Sequence, residues 1–168
     1  MTKSIDLQSL IHDMALRIDS LDLDNPLIVG VHSGGVWVAE KLHELTANPN
    51  PISTLDISFY RDDFSRVGLN PEVRSSSMPL SVEDQTIILV DDVLHTGRTI
   101  RAGLNEIFSY GRPAKVVLAV LIDRSGRELP VQADISGMHM DLGDKENVKL
   151  TNVNNQLEIK FIKTGASA

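Results

Sequence analysis

Residues 87–99 read IILVDDVLHTGRT, and few folds can accept such a run. Four consecutive aliphatics, Ile87, Ile88, Leu89 and Val90, fit a strand buried on both faces, as in a parallel sheet covered by helices. Two carboxylates, Asp91 and Asp92, follow where that strand should emerge. After the short loop His95-Thr96-Gly97-Arg98-Thr99, apolar residues recur at helical spacing from Ile100 to Tyr110. Strand, acids, glycine-bearing loop and helix in that order describe a βα unit that gathers polar groups at the carboxyl end of its strand.

The rest of the chain extends the pattern. Ile5, Leu7, Leu10, Ile11, Met14, Ile18 and Leu21 predict an amphipathic first helix. Asn25-Pro26 ends it, and Leu27–Val31 reads as a buried strand. The tight loop His32-Ser33-Gly34-Gly35 leads to a helix from about Val36 to Thr46, and Ser53–Tyr60 alternates like a strand. Residues 61–81 are polar and aperiodic, the character of a long loop that caps an active site. Lys115–Ile122 is another aliphatic strand. Val131–Gly137, Val148–Val153 and Leu157–Ile162 read as short strands of a small β-rich hood. The expectation is one α/β domain over 1–168: a mostly parallel sheet flanked by helices at about 1–122, with the hood at about 123–163.

The chemistry of the central run suits a phosphorylated sugar. Amides at a helix start point outward without partners, and the helix dipole favours an anion there. Gly97 lets the backbone approach a phosphate closely, and the Thr96 and Thr99 hydroxyls can donate to it. Asp91 and Asp92 would repel a phosphate but accept hydrogen bonds from vicinal hydroxyls, and can help hold Mg²⁺. His32-Ser33-Gly34-Gly35 also follows a strand and opens a helix, which makes it a second anion loop.

Composition narrows the classes. With 168 residues and 42% hydrophobic content, the chain can bury a real core. It has no cysteine, so neither disulfides nor thiol chemistry enter. The N-terminus carries acids where a signal peptide needs an apolar block, and no stretch approaches a membrane span. A cytoplasmic protein with no membrane partner is expected. The net charge of −7 argues against nucleic acid, yet its distribution is uneven. Residues 1–60 hold three Lys/Arg against eight Asp/Glu, whereas residues 98–128 hold six against three. A phosphate site accounts for that basic zone, and an RNA-contacting face is the sharper alternative. The five histidines show no metal-ligand spacing.

Aliphatic strand, two acids and Thr-Gly resemble the phosphoribosyl pyrophosphate (PRPP) motif of type I phosphoribosyltransferases. The longer strings VDDVLHTGRT and YGRPAKVVLAVLIDRSGRELP are similar to the PyrR family, pyrimidine operon attenuators that also act as uracil phosphoribosyltransferases. The resemblance runs from the first helix to about residue 137. It implies the type I phosphoribosyltransferase fold, Mg²⁺ as cofactor, and transfer of phosphoribose from PRPP to uracil, giving UMP and pyrophosphate. Thr96, Gly97, Arg98 and Thr99 would bind the 5′-phosphate, and Asp91 and Asp92 the ribose hydroxyls or Mg²⁺. Ser33, Gly34, Gly35 and Arg61 would take pyrophosphate, with Asp62 or Asp63 within reach of a metal water. Asp123 and Arg124 would belong to the base-binding hood, and Arg127 to a segment linked to RNA.

The chain departs from the family at Gly35, where an arginine is expected, and at Ser33, where threonine is common. It also has Gly126 where histidine is frequent and His95 where tyrosine is frequent. The resemblance further implies a homodimer or tetramer and a pyrimidine leader mRNA as partner. Two other functions stay open: an RNA-binding attenuator with little catalysis, and a purine phosphoribosyltransferase.

Overall fold

A computed structural model describes residues 4–58 and 76–165. Chain order is α1 (Leu7–Ser20), β1 (Leu27–Val31), α2 (Gly34–Leu45), β2 (Ser53–Leu55), β3 (Thr86–Leu94), α3 (Arg98–Tyr110), β4 (Lys115–Arg124), β5 (Ile135–Met140), β6 (Glu146–Val153) and β7 (Gln156–Lys163). The first five strands form one parallel sheet in the order β2-β1-β3-β4-β5. Strands β6 and β7 form a separate antiparallel hairpin.

Alternation along the strands divides the interior into two layers. Ile28, Ile88, Val90, Val117, Ala119 and Leu121 face α1 and α2 through Met14, Ile18, Val38 and Leu42. Val29, Val31, Ile87, Leu89, Leu118 and Val120 face α3 through Ile100, Ala102 and Ile107. Both faces of the sheet are therefore covered, which is why its strands are aliphatic runs. The hairpin seals one edge of the first layer with Val148 and Leu150.

Three details differ from the sequence expectation. Strand β3 does not end at Val90: it pairs with β4 as far as Leu94↔Asp123, so the acids lie within the strand. Strand β2 stops at Leu55 because Asp56 Oδ1 accepts from both the backbone N and the Oγ of Ser58, an Asx turn that bends the chain away. The segment expected as a hood strand at 131–137 is instead a connection up to Asp134, followed by β5, which joins the main sheet from Ala119↔Ile135 to Arg124↔Met140. Asp134 fixes that register: its N donates to Leu118 O and its Oδ2 accepts from Leu118 N. The main sheet thus reaches Met140, and the hood reduces to the connection at 125–134 and the hairpin. Most of the expected loop at 61–81 falls outside the described residues. Ser77 bridges to Thr54 at the free edge of β2.

Candidate active site

In a sheet ordered 2-1-3-4-5 the chain reverses direction of travel between β1 and β3, and the loops leaving those strands part to open a crevice at their carboxyl ends. Here those loops are His32–Ser33 before α2 and His95–Gly97 before α3. The sequence marked the same two loops, and the topology makes them face one another.

Pairing of β1 with β3 ends at Gly30↔Val90. Beyond it, the start of α2 lies against β3. A Cβ on Gly35 would sit 2.6 Å from Val90 O and 3.0 Å from Asp91 Cα, and one on Gly34 would sit 2.2 Å from Asp92 Oδ2. Only hydrogen at those positions lets the helix end rest on the acids. The departure at Gly35 has a local reason here: no side chain fits between α2 and the backbone of β3.

The two acids are not equivalent. Asp91 is 2% exposed and its Oδ1 accepts from Asp92 N at 2.9 Å. Asp92 is half-buried, and its Oδ1 accepts from Val93 N at 2.9 Å while Oδ2 lies beside Gly34. Asp92 is therefore the more accessible carboxylate, and Asp91 lies behind it, bonded to its backbone N–H.

Helix α3 begins at Arg98, so Arg98 and Thr99 form its first turn. Gly97 caps it at φ 96°, a left-handed conformation that glycine adopts without strain. Thr96 Oγ1 accepts from Arg98 N at 3.2 Å and keeps its own proton to donate. Thr96 O takes two bonds, from Glu128 N at 2.9 Å and Leu129 N at 3.0 Å. The connection after β4 is thereby strapped across the loop, with Leu129 and Val131 packed 3.3 Å from where a Gly97 Cβ would be.

The cations of this region are largely engaged. Arg98 Nε pairs with Glu128 at 3.1 Å. Arg127 pairs with Asp123 at 2.5 Å and donates to His95 O. Arg127 thus ties strand end, loop and strap together. Arg124 is 4% exposed, its Nη1 donating to Asn147 on β6 while its Nε has no acceptor among the described residues. His95 stands at the rim against Gly126, where a Cβ would lie 2.8 Å from its Nε2. Partial burial and the Arg124 charge push its pKa below the usual histidine value; Glu128 opposes this and Arg127 adds to it. The neutral ring is therefore favoured there more than in a free imidazole.

The structure seats Gly34 and Gly35, after Ser33, on Asp92 and Asp91, and carries Thr96, Gly97 and Thr99 on the loop and helix start that follow the same strand. It places Asp123, Arg124 and Arg127 beside them as supports; Arg61, Asp62 and Asp63 lie outside the described residues. Glu128 and Leu129, which fix the Thr96 loop, escaped sequence reasoning: their contribution runs through backbone N–H groups that every residue but proline carries. Behind the second loop Val38 is buried in the core and Trp37 packs against it, half-buried.

A glycine loop seated on two carboxylates at the switch point of such a sheet points to a class, and residues 6–155 match the model of the phosphoribosyl transferase domain. Solved structures agree on the fold. A hypoxanthine-guanine phosphoribosyltransferase from Bacillus anthracis superposes with TM-score 0.66 at 18% identity, covering 83% of this chain and 85% of that one. A purine phosphoribosyltransferase from Pyrococcus horikoshii gives TM-score 0.62 at 21% identity, covering 80% and 82%. The "Bifunctional protein PyrR" of Nitrosococcus oceani is 51% identical over 154 residues, 88% of this chain and 87% of the relative. That of Pseudomonas paraeruginosa is 49% identical over 144 residues, 86% and 85% respectively. The chain belongs to the PyrR family of phosphoribosyltransferase-fold proteins.

Proposed function

We propose that the protein transfers 5-phosphoribose from PRPP to N1 of uracil, giving UMP and pyrophosphate, in the cytoplasm. The observation that carries the reading is the seating of Gly34 and Gly35 directly on Asp92 and Asp91. It joins a pyrophosphate loop to a ribose-binding carboxylate, as a donor bearing both groups requires. In this reading the Thr96 and Thr99 hydroxyls and the first-turn amides of α3 hold the 5′-phosphate. Arg98 contributes by its place at the helix start, since its guanidinium is held by Glu128. Asp92 accepts from the ribose hydroxyls, Asp91 keeps it in place, and their charge favours the cationic sugar of the transition state. Ser33, Gly34, Gly35 and Arg61 receive pyrophosphate, and the strap after Asp123 and Arg124 closes over the base.

The donor set fits Mg²⁺. Two oxygen-bearing carboxylates suit an ion that keeps several waters and arrives with its phosphates, and no group of three acidic or histidine ligands occurs among the described residues. Asp91 and Asp92 would hold it, directly or through water. When bound, Mg²⁺ neutralises charge on the departing pyrophosphate. The protein's own part is to align donor and acceptor.

The test is activity with PRPP, Mg²⁺ and either uracil or hypoxanthine. Uracil should give UMP and hypoxanthine nothing; the reverse would establish the purine alternative. Asp92→Asn keeps the acceptor for Val93 N, so stability should change by less than about 0.5 kcal/mol, while kcat/KM falls ~100-fold or more. Normal turnover in that variant removes Asp92 from its role.

The relatives are called "Bifunctional", which favours a second reading in which UMP occupancy tunes affinity for a pyrimidine leader mRNA. Of the six cations at 98–128, Arg98 and Arg127 are paired and Arg124 is buried, which leaves Arg101, Arg112 and Lys115 exposed. A gel shift with leader RNA at several salt concentrations, with and without UMP, decides it. No binding at low salt removes this reading.

A further inference from the structure

The rim of the crevice carries one titratable ring that the chemistry above leaves idle. His95 follows β3 directly, and its side chain stays open to solvent. Among the described residues neither ring nitrogen has a hydrogen-bond partner; the bond that His95 receives from Arg127 goes to its backbone O. Packing holds the ring instead. Its Nε2 and Cδ2 lie 2.8 and 3.1 Å from where a Cβ on Gly126 would be, so the imidazole fills the room that a side chain there would take. His95 thereby stands between the strand that carries Asp91 and Asp92 and the strap at 125–131. Along the chain it lies three residues, or about 10 Å, beyond Asp92.

Transfer to uracil needs a group of this kind, because N1 carries a proton that must leave as N1 bonds to the sugar. The nearby carboxylates are engaged: Asp123 by Arg127, Glu128 by Arg98, and Asp91 by the N–H of Asp92. Asp92 is given to the ribose hydroxyls, and a carboxylate is a weak base beside an imidazole near pH 7. We propose that His95 is the general base of the transfer and accepts the N1 proton of the acceptor. The N1–H bond breaks, with the proton going to a ring nitrogen and the electron pair forming the N1–C1′ bond. The C1′–O bond breaks with its pair on pyrophosphate, and the proton passes to water once the products part. The charges that face the ring suit this step. Burial, Arg124 at the end of β4 and Arg127 on the strap favour the neutral, proton-accepting form, and Glu128 steadies the imidazolium that follows. The inference rests on the uracil reading and adds to it a residue at a position where the family more often has tyrosine.

PH–rate profiles of wild type, His95→Gln and His95→Tyr with uracil, PRPP and Mg²⁺ test it. Wild-type kcat/KM for uracil should fall about tenfold per pH unit below the His95 pKa, and both variants should lose that limb. At neutral pH their kcat should drop ~100-fold or more, with KM for PRPP within about twofold of wild type. 5-Fluorouracil, whose N1 proton is more acidic, needs less help from a base and should suffer a smaller loss than uracil; a ring that only props the strap would slow both acceptors alike. UMP should shift the His95 ring resonances in NMR spectra and leave those of the exposed His12 in place. Wild-type turnover in His95→Gln, an unchanged acid limb, equal losses with the two acceptors, or His95 resonances unmoved by UMP would each overturn the proposal while the uracil reading stands. A wild-type chain that makes no UMP removes both.

Discussion

Three glycine-to-alanine substitutions should give three different outcomes, and the distances say which. In Gly35→Ala the new methyl meets Val90 O at 2.6 Å, where ordinary contact begins at 3.4 Å, so the helix end must lift by about 0.8 Å. Val90 is in the middle strand of the sheet and cannot yield. Overpacking of this kind costs about 1–3 kcal/mol, and each kcal/mol lowers Tm by roughly 2–4 °C for a chain of this size. The lift also separates the loop at 32–35 from the acids, and a shift of about 1 Å can cost ~100-fold in rate. In Gly34→Ala the obstacle is Asp92: its Oδ2, at 2.2 Å, can turn aside, but its Cβ, at 2.9 Å, cannot, so the helix end must also shift by about 0.5 Å. Stability should fall by about 1–2 kcal/mol, a forced rotamer plus a smaller overpacking than in Gly35→Ala, while activity falls as in Asp92→Asn. In Gly103→Ala, inside α3, the nearest atom is Leu89 Cδ2 at 3.6 Å. That variant should gain about 0.5–1 kcal/mol from helix propensity and stay active. Chemical denaturation and steady-state kinetics with PRPP measure both quantities. Wild-type stability in Gly35→Ala, or a loss in Gly103→Ala as large as its neighbours', would refute the close-approach argument.

Two further outcomes follow from the electrostatics. NMR titration should place the His95 pKa below 6.5, and Arg127→Gln should raise it by removing a like charge. Because the fold favours neutral His95, the unfolded chain binds the proton more readily. The contribution to stability is then whole above pH 6.5 and lost as pH falls below it, so His95→Asn should flatten that acid dependence; a pKa at or above 6.5 would contradict this. In double-mutant cycles, Arg127–Asp123, with side chains 27% and 20% exposed, should couple by about 1–2 kcal/mol. Arg98–Glu128, at 43% and 54%, should stay under about 1 kcal/mol and fade with salt. Equal couplings would mean that burial is not what separates them.

What could be read from the sequence was local. The aliphatic run at 87–90, the glycine loops and the acids announce themselves because each requirement is met by neighbouring residues. The strand's true end was less visible, although Val93 and Leu94 were a signal: Leu94 is 1% exposed and keeps β3 in the sheet beyond the acids. Strand β5 could not be assigned to its sheet, because a short alternating run pairs as well with a hood as with β4. The partners of Arg98 and Arg127 were also hidden, since a cation near an anion loop reads as a ligand contact until its carboxylate is located. The resemblance to PyrR supplied the acceptor base, which no spacing in the chain defines.

The placement of Asp91 and Asp92 inside a hydrogen-bonded strand has a consequence for durability. Carboxylates on a loop drift whenever the loop opens, on a free-energy scale far below that of unfolding. The backbone that carries these two moves only if β3 parts from β4. The stretch of β3 that carries the acids is therefore as permanent as its pairing with β4, while the strap at 125–131 is tied down by a few backbone bonds and surface ion pairs. Such a molecule can be rebuilt along that strap, residue by residue, without disturbing the strand that carries the acids.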